Sequence, residues 1–445
     1  LHRRRHSFPT RRSSDLATLS PAPAAYTTGN HYRFKANTAN TGAATINFNS
    51  LGAKTIKKDV AGTTTALSSG DMASGQYVEV TYNGTDFIWT NWQGETVPTA
   101  TESVEGTVEL ATDAEAITGT ATDKVLTPAN LTARLNTPLI APPGGRLTLS
   151  SATPVLSSDV SGATTVYYTA HTHNFIQIYD GTYWVMKAFS EMSQTLADNT
   201  KSPAAAAVSS IYDMFVWNDS GTLRCTRGPA WASASARGTG AGTTELERVS
   251  GTLVNKIAIS NGPAAQRGVY VGTIATNGTG ANGELAMSFN PNAAAGGTAN
   301  RLDVWNHYNR VGVSSASRDS TNSWAYSTTT WRPANNNANN SISFVCGISE
   351  DTIDADHYAF VSTSANTVVR CGIGIDSTSA ISGIPGVSIA FTTGAQVNAH
   401  YAGHVAIGTH TVTALEYADN ATTTWYGDNG APLTTQSGLF LNWRM

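Results

Sequence analysis

TYNGTDFIW, residues 81–89, decides the class of fold. Asn83-Gly84 is a pair that supplies both positive-φ positions of a type I′ turn, with Val78, Val80 and Tyr82 leading in and Phe87 and Trp89 leading out. Apolar side chains alternating on both sides of such a turn predict a hairpin with one buried face. A second copy stands at 176–186, IQIYDGTYWVM, where Asp180-Gly181 takes the turn and Trp184 falls near the place of Phe87. Upstream of each copy is a matching stretch, GAATINF at 42–48 and GATTVYY at 162–168. Two related β-modules are therefore expected, one on each side of a different middle segment.

Composition points the same way. Only 13% of the 445 residues are charged, against roughly 25% in an average globular protein. Surface helices depend on Glu, Lys and Arg, so a chain crowded with Gly, Ser, Thr, Asn and Ala favours strands and turns. Its length suggests about three domains and ample core without disulfide or metal staples. The first sixteen residues, LHRRRHSFPTRRSSDL, hold five arginines and one aspartate. They begin with Leu and lack the apolar stretch of a secretory signal, and they read as a non-native leader from adapter read-through, with the true N-terminus missing. Without them 22 basic residues (27 less five) face 30 acidic ones (31 less one), a net charge of −8. A body this acidic does not present the basic face that phosphate contacts need, so nucleic acid is not an expected partner. No run of about 18 apolar residues occurs, so no membrane insertion is expected. Cys225, Cys346 and Cys371 are odd in number and far apart, and read as small buried hydrophobes in strands.

The middle segment, TESVEGTVELATDAEAITGTATDKVLTPANLTARL at 101–135, has another rhythm. Gly106–Leu110 alternates as a strand, and Thr112 with Glu115 forms a capping box that opens a one- or two-turn helix. Thr127 followed by Pro128 starts a second helix of about nine residues, in which Leu131 and Leu135 lie one turn apart. A helix that short does not hold together in isolation, and a symmetric partner is the economical way to cover it. TPLIAPPGG, 137–145, follows as a stiff proline-rich linker.

These residues carry a family resemblance. Val104 to Leu135, with GTVELATDAEA, a short Gly/Thr stretch and then VLTPANL, closely resembles the repeat of bacteriophage tail-fibre proteins. From Gly145 to Met445, GGRLTL, GPAWAS, WNHYNRV, SRDSTNSWAYSTTTWR and QSGLFLNWRM look like a C-terminal module that recurs in phage tail proteins. The resemblance implies an elongated, homotrimeric virion appendage whose distal end touches the host.

Strand-like stretches recur about every ten residues from 205 to 445, among them YDMFVW, RGVYVGTIA, SISFVCGI, HYAFVS, VVRCGIGI, GVSIAFTT, YAGHVAIGTH and GLFLNWRM. Short, regular strands between Gly, Asn and Ser turns predict an antiparallel sandwich or jelly-roll. No rung repeat of 20 to 25 residues supports a parallel β-helix. The expected organisation is mainly β and multi-domain: leader 1–16, N-terminal β-domain 17–97, tail-fibre repeat and linker 98–144, β-module 145–260, and a C-terminal sandwich 261–445.

Trp305, His307, Tyr308, Arg310, Arg318, Trp324, Tyr326 and Trp331 fall within 27 positions. A sugar ring lays its C–H face on an aromatic plane while amides, carboxylates and guanidinium groups take its hydroxyls, so Trp305, Tyr308, Arg310, Trp324 and Trp331 are candidate glycan-binding residues. The competing reading is that these tryptophans are core or inter-subunit packing. His171-Thr-His173 would line one strand face, and a threefold axis would gather six imidazoles there, but an isolated pair in a Thr-rich loop is better read as two solvated histidines. His400, His404 and His410 are spaced too loosely for a zinc signature and have no nearby Cys or paired carboxylate. Glu350, Asp351, Asp354 and Asp356 form the one dense acidic run, read either as a solvated turn or hairpin tip or as the carboxylates of a glycosidase. No nucleophile elbow, phosphate loop or metalloprotease motif occurs. No catalytic residue, metal ligand or cofactor is expected. The sequence thus leads to a non-enzymatic tail-fibre or tail-tip subunit of the virion tail that is homotrimeric, binds a host surface polysaccharide and contacts other tail or baseplate proteins. A glycan depolymerase and a purely architectural tail protein are the alternatives.

Overall fold

The computed structural model describes residues 15–60, 62–94, 108–119, 121–136, 141–290, 292–428 and 436–445. The chain is mainly β, as expected, and falls into two compact units. One takes the described residues up to Ala111 together with Ala121–Val125; the other takes those of 112–120 and Leu126–Met445. The leader lies outside the described residues except for its last two, which open a strand, and the beginnings of the expected 106–110 strand and of the linker also lie outside.

The first unit is a seven-stranded sheet of β1 (Asp15–Ala17), β2 (His31–Lys35), β3 (Ala44–Phe48), β4 (Lys54–Val60), β5 (Thr63–Ala66), β6 (Tyr77–Tyr82) and β7 (Phe87–Trp89), in the order β1-β3-β4-β7-β6-β2 with β5 beside β4. Ile46, Phe48, Ile56, Val78, Val80, Phe87 and Trp89 alternate onto one face and form its core. Tyr32 stacks on Phe48 at 4.8 Å, and Phe87 meets both edge-on. The short strands β8 (Glu109–Leu110) and β9 (Lys124–Val125) pair in parallel.

Both predicted hairpins form, with longer loops than a two-residue type I′ turn. Tyr82 pairs with Phe87 and Tyr179 with Trp184, which leaves four loop residues in each. Only Gly84 (φ 101°) and Gly181 (φ 100°) take positive φ. The carboxamide of Asn83 and the carboxylate of Asp180 accept the backbone N–H groups two and three residues ahead, closing the turn without the left-handed conformation at the first position. In each copy a tyrosine hydroxyl donates to the glycine carbonyl, Tyr82 to Gly84 at 2.7 Å and Tyr179 to Gly181 at 2.9 Å. The repeat seen in the sequence is thus a repeat of turn chemistry.

In the second unit α1 (Asp113–Thr118) opens with the predicted capping box and closes on Gly119 in the left-handed conformation. α2 (Pro128–Asn136) opens with a box of the same form, in which Asn130 replaces the acid: Asn130 N donates to Thr127 Oγ1, and Thr127 N to Asn130 Oδ1. Asn130 is buried and its Nδ2 donates to Asp113 Oδ1 at 2.8 Å. So α2 does find a partner within its own chain, the helix α1, and a symmetric copy is not its sole recourse. Leu131 is exposed; the side chain of Leu135 lies outside the described residues.

Beyond the helices run β10 (Gly145–Thr148), β11 (Val160–Ala163), β12 (Thr165–Ala170), β13 (Phe175–Tyr179), β14 (Trp184–Ala188), β15 (Met192–Thr195), β16 (Ile211–Asp219), β17 (Thr222–Ala230), β18 (Leu246–Val249), β19 (Thr252–Asn255), β20 (Val269–Ala275), β21 (Leu285–Met287), β22 (Asn292–Ala294), β23 (Asn300–Leu302) and β24 (Val304–Asn306). Six of them form a sheet of the order β17-β16-β20-β19-β18, with β24 beside β20. The expected boundary at 260/261 falls between β19 and β20, which pair through Val254 and Val269. One hydrophobic cluster extends from Leu147 to Met445, so both sides of that boundary share a core.

The last strands are β25 (Gly312–Asp319), β26 (Ser323–Tyr326), β27 (Arg332–Pro333), β28 (Ser341–Cys346), β29 (Thr352–Thr363), β30 (Thr367–Ile375), β31 (Ser382–Ala390), β32 (Ala395–His404), β33 (Gly408–Ala418), β34 (Thr423–Tyr426) and β35 (Gly438–Arg444). Two antiparallel sheets result, β25-β35-β29-β32 and β28-β33-β30-β31. Apart from β30 and β31, which are neighbours in one sheet, consecutive strands of these eight alternate between the sheets in the order of a jelly roll, two interlocked Greek keys. β29 shows how the sequence builds it: Ile353, Ala355, His357, Ala359 and Val361 point inward and are buried, while Asp354, Asp356, Tyr358 and Phe360 point outward. The His357 ring contacts Gly372 O at 3.0 Å, tying the two sheets together. YAGHVAIGTH, read as one strand, turns a corner between β32 and β33. The three cysteines are buried in β17, β28 and β30, as expected.

Candidate functional site

The five candidate glycan-binding residues do not form one surface. Trp305, on β24, is 0% exposed and packs in the core beside Tyr270 and His307, so no sugar can reach its ring. Tyr308 is half-buried against His307, and burial lifts its hydroxyl to about 12. Burial first, then the cations of Arg310, Arg248 and Arg237, push His307 down to about 4, so the ring is neutral. His307 and Tyr308 line a cavity of about 330 Å³ with Arg248, Pro142 and Pro143. Arg310 lies 5.3 Å over Trp305 and is held by Glu350 at 3.0 Å and by Asp351, which engages both carboxylates of the first half of the acidic run.

Trp324 and Trp331 belong to the jelly roll. Trp324 Nε1 donates to Glu416 Oε2 at 2.7 Å, and the Trp331 ring lies 5.1 Å from that of Tyr417. Arg332 donates to Glu416 Oε1 at 2.6 Å and stacks 3.7 Å over Tyr326. Burial pushes the Glu416 carboxyl up to about 7, against the pull of Trp324 and Arg332. The 27-residue aromatic run therefore divides between two sheets, because β25 carries the chain out of one and into the other.

The outer face of β35-β29-β32 gathers a different set. Register places Asp354 between Asn442 and Ala402, Asp356 between Phe440 and His400, and Tyr358 between Gly438 and Asn398. Tyr358 and Phe440 stack at 5.3 Å with planes 16° apart, and Arg318 lies 5.8 Å over Phe440. His400 Nδ1 is 3.2 Å from Asp356 Oδ1 and 4.0 Å from Asp354 Oδ1. One ligand atom from each of these three residues lies within 4.8 Å of the others, a geometry that can close on a divalent cation. His400 thus does have paired carboxylates beside it, contrary to the reading from spacing, because β29 and β32 are neighbours despite 44 residues between Asp356 and His400. The two acids project from one face of one strand, side by side. The expected turn holds only the first half of the acidic run, Glu350 and Asp351 before β29; its second half lies on β29.

Chemically, the outward side of these strands combines aromatic rings, carboxylates, amides and an imidazole, with Asp354, Asn398, His400 and Asn442 exposed and Asp356, Tyr358 and Phe440 half-buried. Ring C–H groups can lie on Tyr358 and Phe440 while Asp354, Asp356, Asn398 and Asn442 hydrogen-bond hydroxyls. The alternation in TIDADHYAF was the sequence signal for it: Asp, Asp and Tyr at every second position share one side of a strand.

Other polar groups have settled partners. His171 and His173 lie in the bend between β12 and β13, not on a strand, so the strand-face argument for a metal pair does not hold; the His173 ring nitrogen faces Phe175 N at 3.2 Å. His410 sits 2.7 Å from Asp376. Asp213, fully buried on β16, accepts from Arg237 at 2.6 Å, from Thr273 at 2.7 Å and from Thr244. Among the described residues no helix is long and apolar enough to cross a membrane. No protein-family model matches this chain, and no curated protein matches it.

Proposed function

We propose that this chain is a subunit of a bacteriophage tail fibre or tail tip, that it works as a homotrimer on the virion, and that the outer face of β35-β29-β32 binds a host surface glycan during adsorption. The observation that carries the reading is the register that sets Tyr358, Phe440, Asp354, Asp356, His400, Asn398 and Asn442 on one open surface. A sheet face that carries rings, carboxylates and amides suits repeating polysaccharide, and threefold repetition turns weak sites into avidity. The resemblance of residues 104–135 to the tail-fibre repeat supports the virion assignment, and jelly rolls serve as both lectin and virus-particle domains. Exposed apolar side chains support self-association: Leu126 before α2 and Leu131 on it, and Ile384, Val387 and Ile389 on β31 with Phe391 just after it. Other tail or baseplate proteins are its further partners in this reading.

The purified chain should sediment at about three times 46.7 kDa and bind capsule or lipopolysaccharide from a susceptible host. Phe440→Ala and Asp356→Asn should each weaken that binding about tenfold with unchanged melting temperature. A monomer that binds no host polysaccharide overturns the proposal. New reducing ends released with turnover would favour the depolymerase instead, and a trimer with no affinity for host cells the architectural reading.

A further inference from the structure

A cavity of about 210 Å³ opens where β10, the segment 154–157, β24 and the start of β25 meet. Arg146 lines it and is only 5% exposed. Its Nε donates to Pro154 O at 3.0 Å and its Nη1 to the carbonyl of Asn309, both neutral acceptors. Among the described residues no carboxylate pairs with it. Three arginines met above differ: Arg237 has Asp213, Arg310 has Glu350 and Asp351, and Arg332 has Glu416. Arg227, bonded to three carbonyls, still feels Asp198. The titratable neighbour of Arg146 is His171, which burial first and then the guanidinium push away from the cationic form.

Burial lowers Arg146 to about 10, so it stays cationic at neutral pH. A guanidinium out of water without an anion is costly, and a ligand carboxylate restores the missing charge through a planar fork that matches it. The rest of the wall says what the anion is attached to. Met287, Phe289 and Val313 supply apolar surface, while Ser157 and Ser314 bring hydroxyls to the exposed rim. A cavity of this size holds one six-membered ring.

We propose that this cavity binds a carboxylate-bearing sugar unit, a hexuronic acid residue, with its carboxylate on Arg146 and the C–H face of its ring on Phe289 and Met287. The sugar identity rests on the glycan-binding reading above; the preference for an anion rests on Arg146 alone. It makes acidic polysaccharide the class of receptor.

Calorimetric titration of the full chain with sodium glucuronate, glucose and inorganic phosphate tests this. Glucuronate should bind at least about tenfold more tightly than glucose or phosphate. Arg146→Gln should erase that preference. Val155→Trp, at an exposed rim position, should block glucuronate without lowering the melting temperature, which covers the case in which Arg146→Gln fails to fold. Equal binding of glucuronate and glucose, equal binding of phosphate, or glucuronate binding indifferent to Val155→Trp each overturns the assignment. Host polysaccharide titrated in parallel separates the two ideas. If polysaccharide binds and Phe440→Ala abolishes it while glucuronate does not bind, this inference alone falls; if glucuronate binds and no polysaccharide does, the adsorption reading falls and the acid site stands.

Discussion

Replacing Glu416 by Gln should reverse part of the protein's response to pH. Glu416 is 0% exposed and accepts hydrogen bonds from Trp324 and Arg332. Burial nevertheless wins, and its carboxyl rises from the ordinary 4.5 to about 7. Between those two values the folded protein holds a proton that the unfolded chain has already released. The stability this group contributes is therefore fully present below about pH 4.5 and is lost as pH climbs through about 7. A displacement of about 2.5 pH units at about 1.4 kcal/mol each makes the full swing roughly 3 kcal/mol. The carboxamide of the variant keeps an acceptor oxygen in the same place and carries no charge to bury. Denaturant unfolding of both proteins, from about pH 5 to about pH 8, should show the difference in stability moving toward the variant by roughly 2 to 3 kcal/mol. Asp303, also raised to about 7 by burial, is common to both and cancels. Parallel stability curves for the two proteins would refute the argument that desolvation outweighs Arg332 at this site.

Three further outcomes follow from the packing. Asp213→Asn leaves the buried Arg237 without its counter-charge and should cost about 3–5 kcal/mol in denaturant unfolding, so an unchanged midpoint would exclude the buried pair as an anchor. Trp305→Ala empties a fully buried site and should cost about 3–5 kcal/mol, while glycan affinity per folded molecule stays the same; a selective loss of affinity would return Trp305 to the binding surface. Thr112→Ala removes one side of a reciprocal cap and should cost about 1 kcal/mol of local stability, seen as faster amide exchange over 113–118 with the jelly roll unaffected.

Short-range features could be read directly. The capping box at Thr112 and Glu115 closes over three residues, the hairpins at 82–87 and 179–184 over five, and the in-out alternation of β29 is a property of adjacent positions. Even there the side chains of Asn83 and Asp180 overrode the simplest turn: the chosen dipeptide was right, and the loop was longer because an Asx oxygen competes for the same backbone donors. The jelly-roll class was legible from strand spacing, although its strand order was not. The aromatic cluster failed as a surface because density along the chain says nothing of which sheet each strand joins. Trp305 and Trp324 are separated by the strand that leaves one sheet for another.

By itself the sequence determined the β character, the turns and the caps, since each is an energy balance among a few consecutive residues. Tertiary structure alone decided that Asp356 meets His400 across 44 residues, that Trp324 meets Glu416 across 92, and that Arg146 reaches Asn309 across 163 with no acid paired to it among the described residues. Those meetings depend on which strands pair, and pairing is chosen by the burial of whole apolar faces, a sum over the entire core that no local window contains.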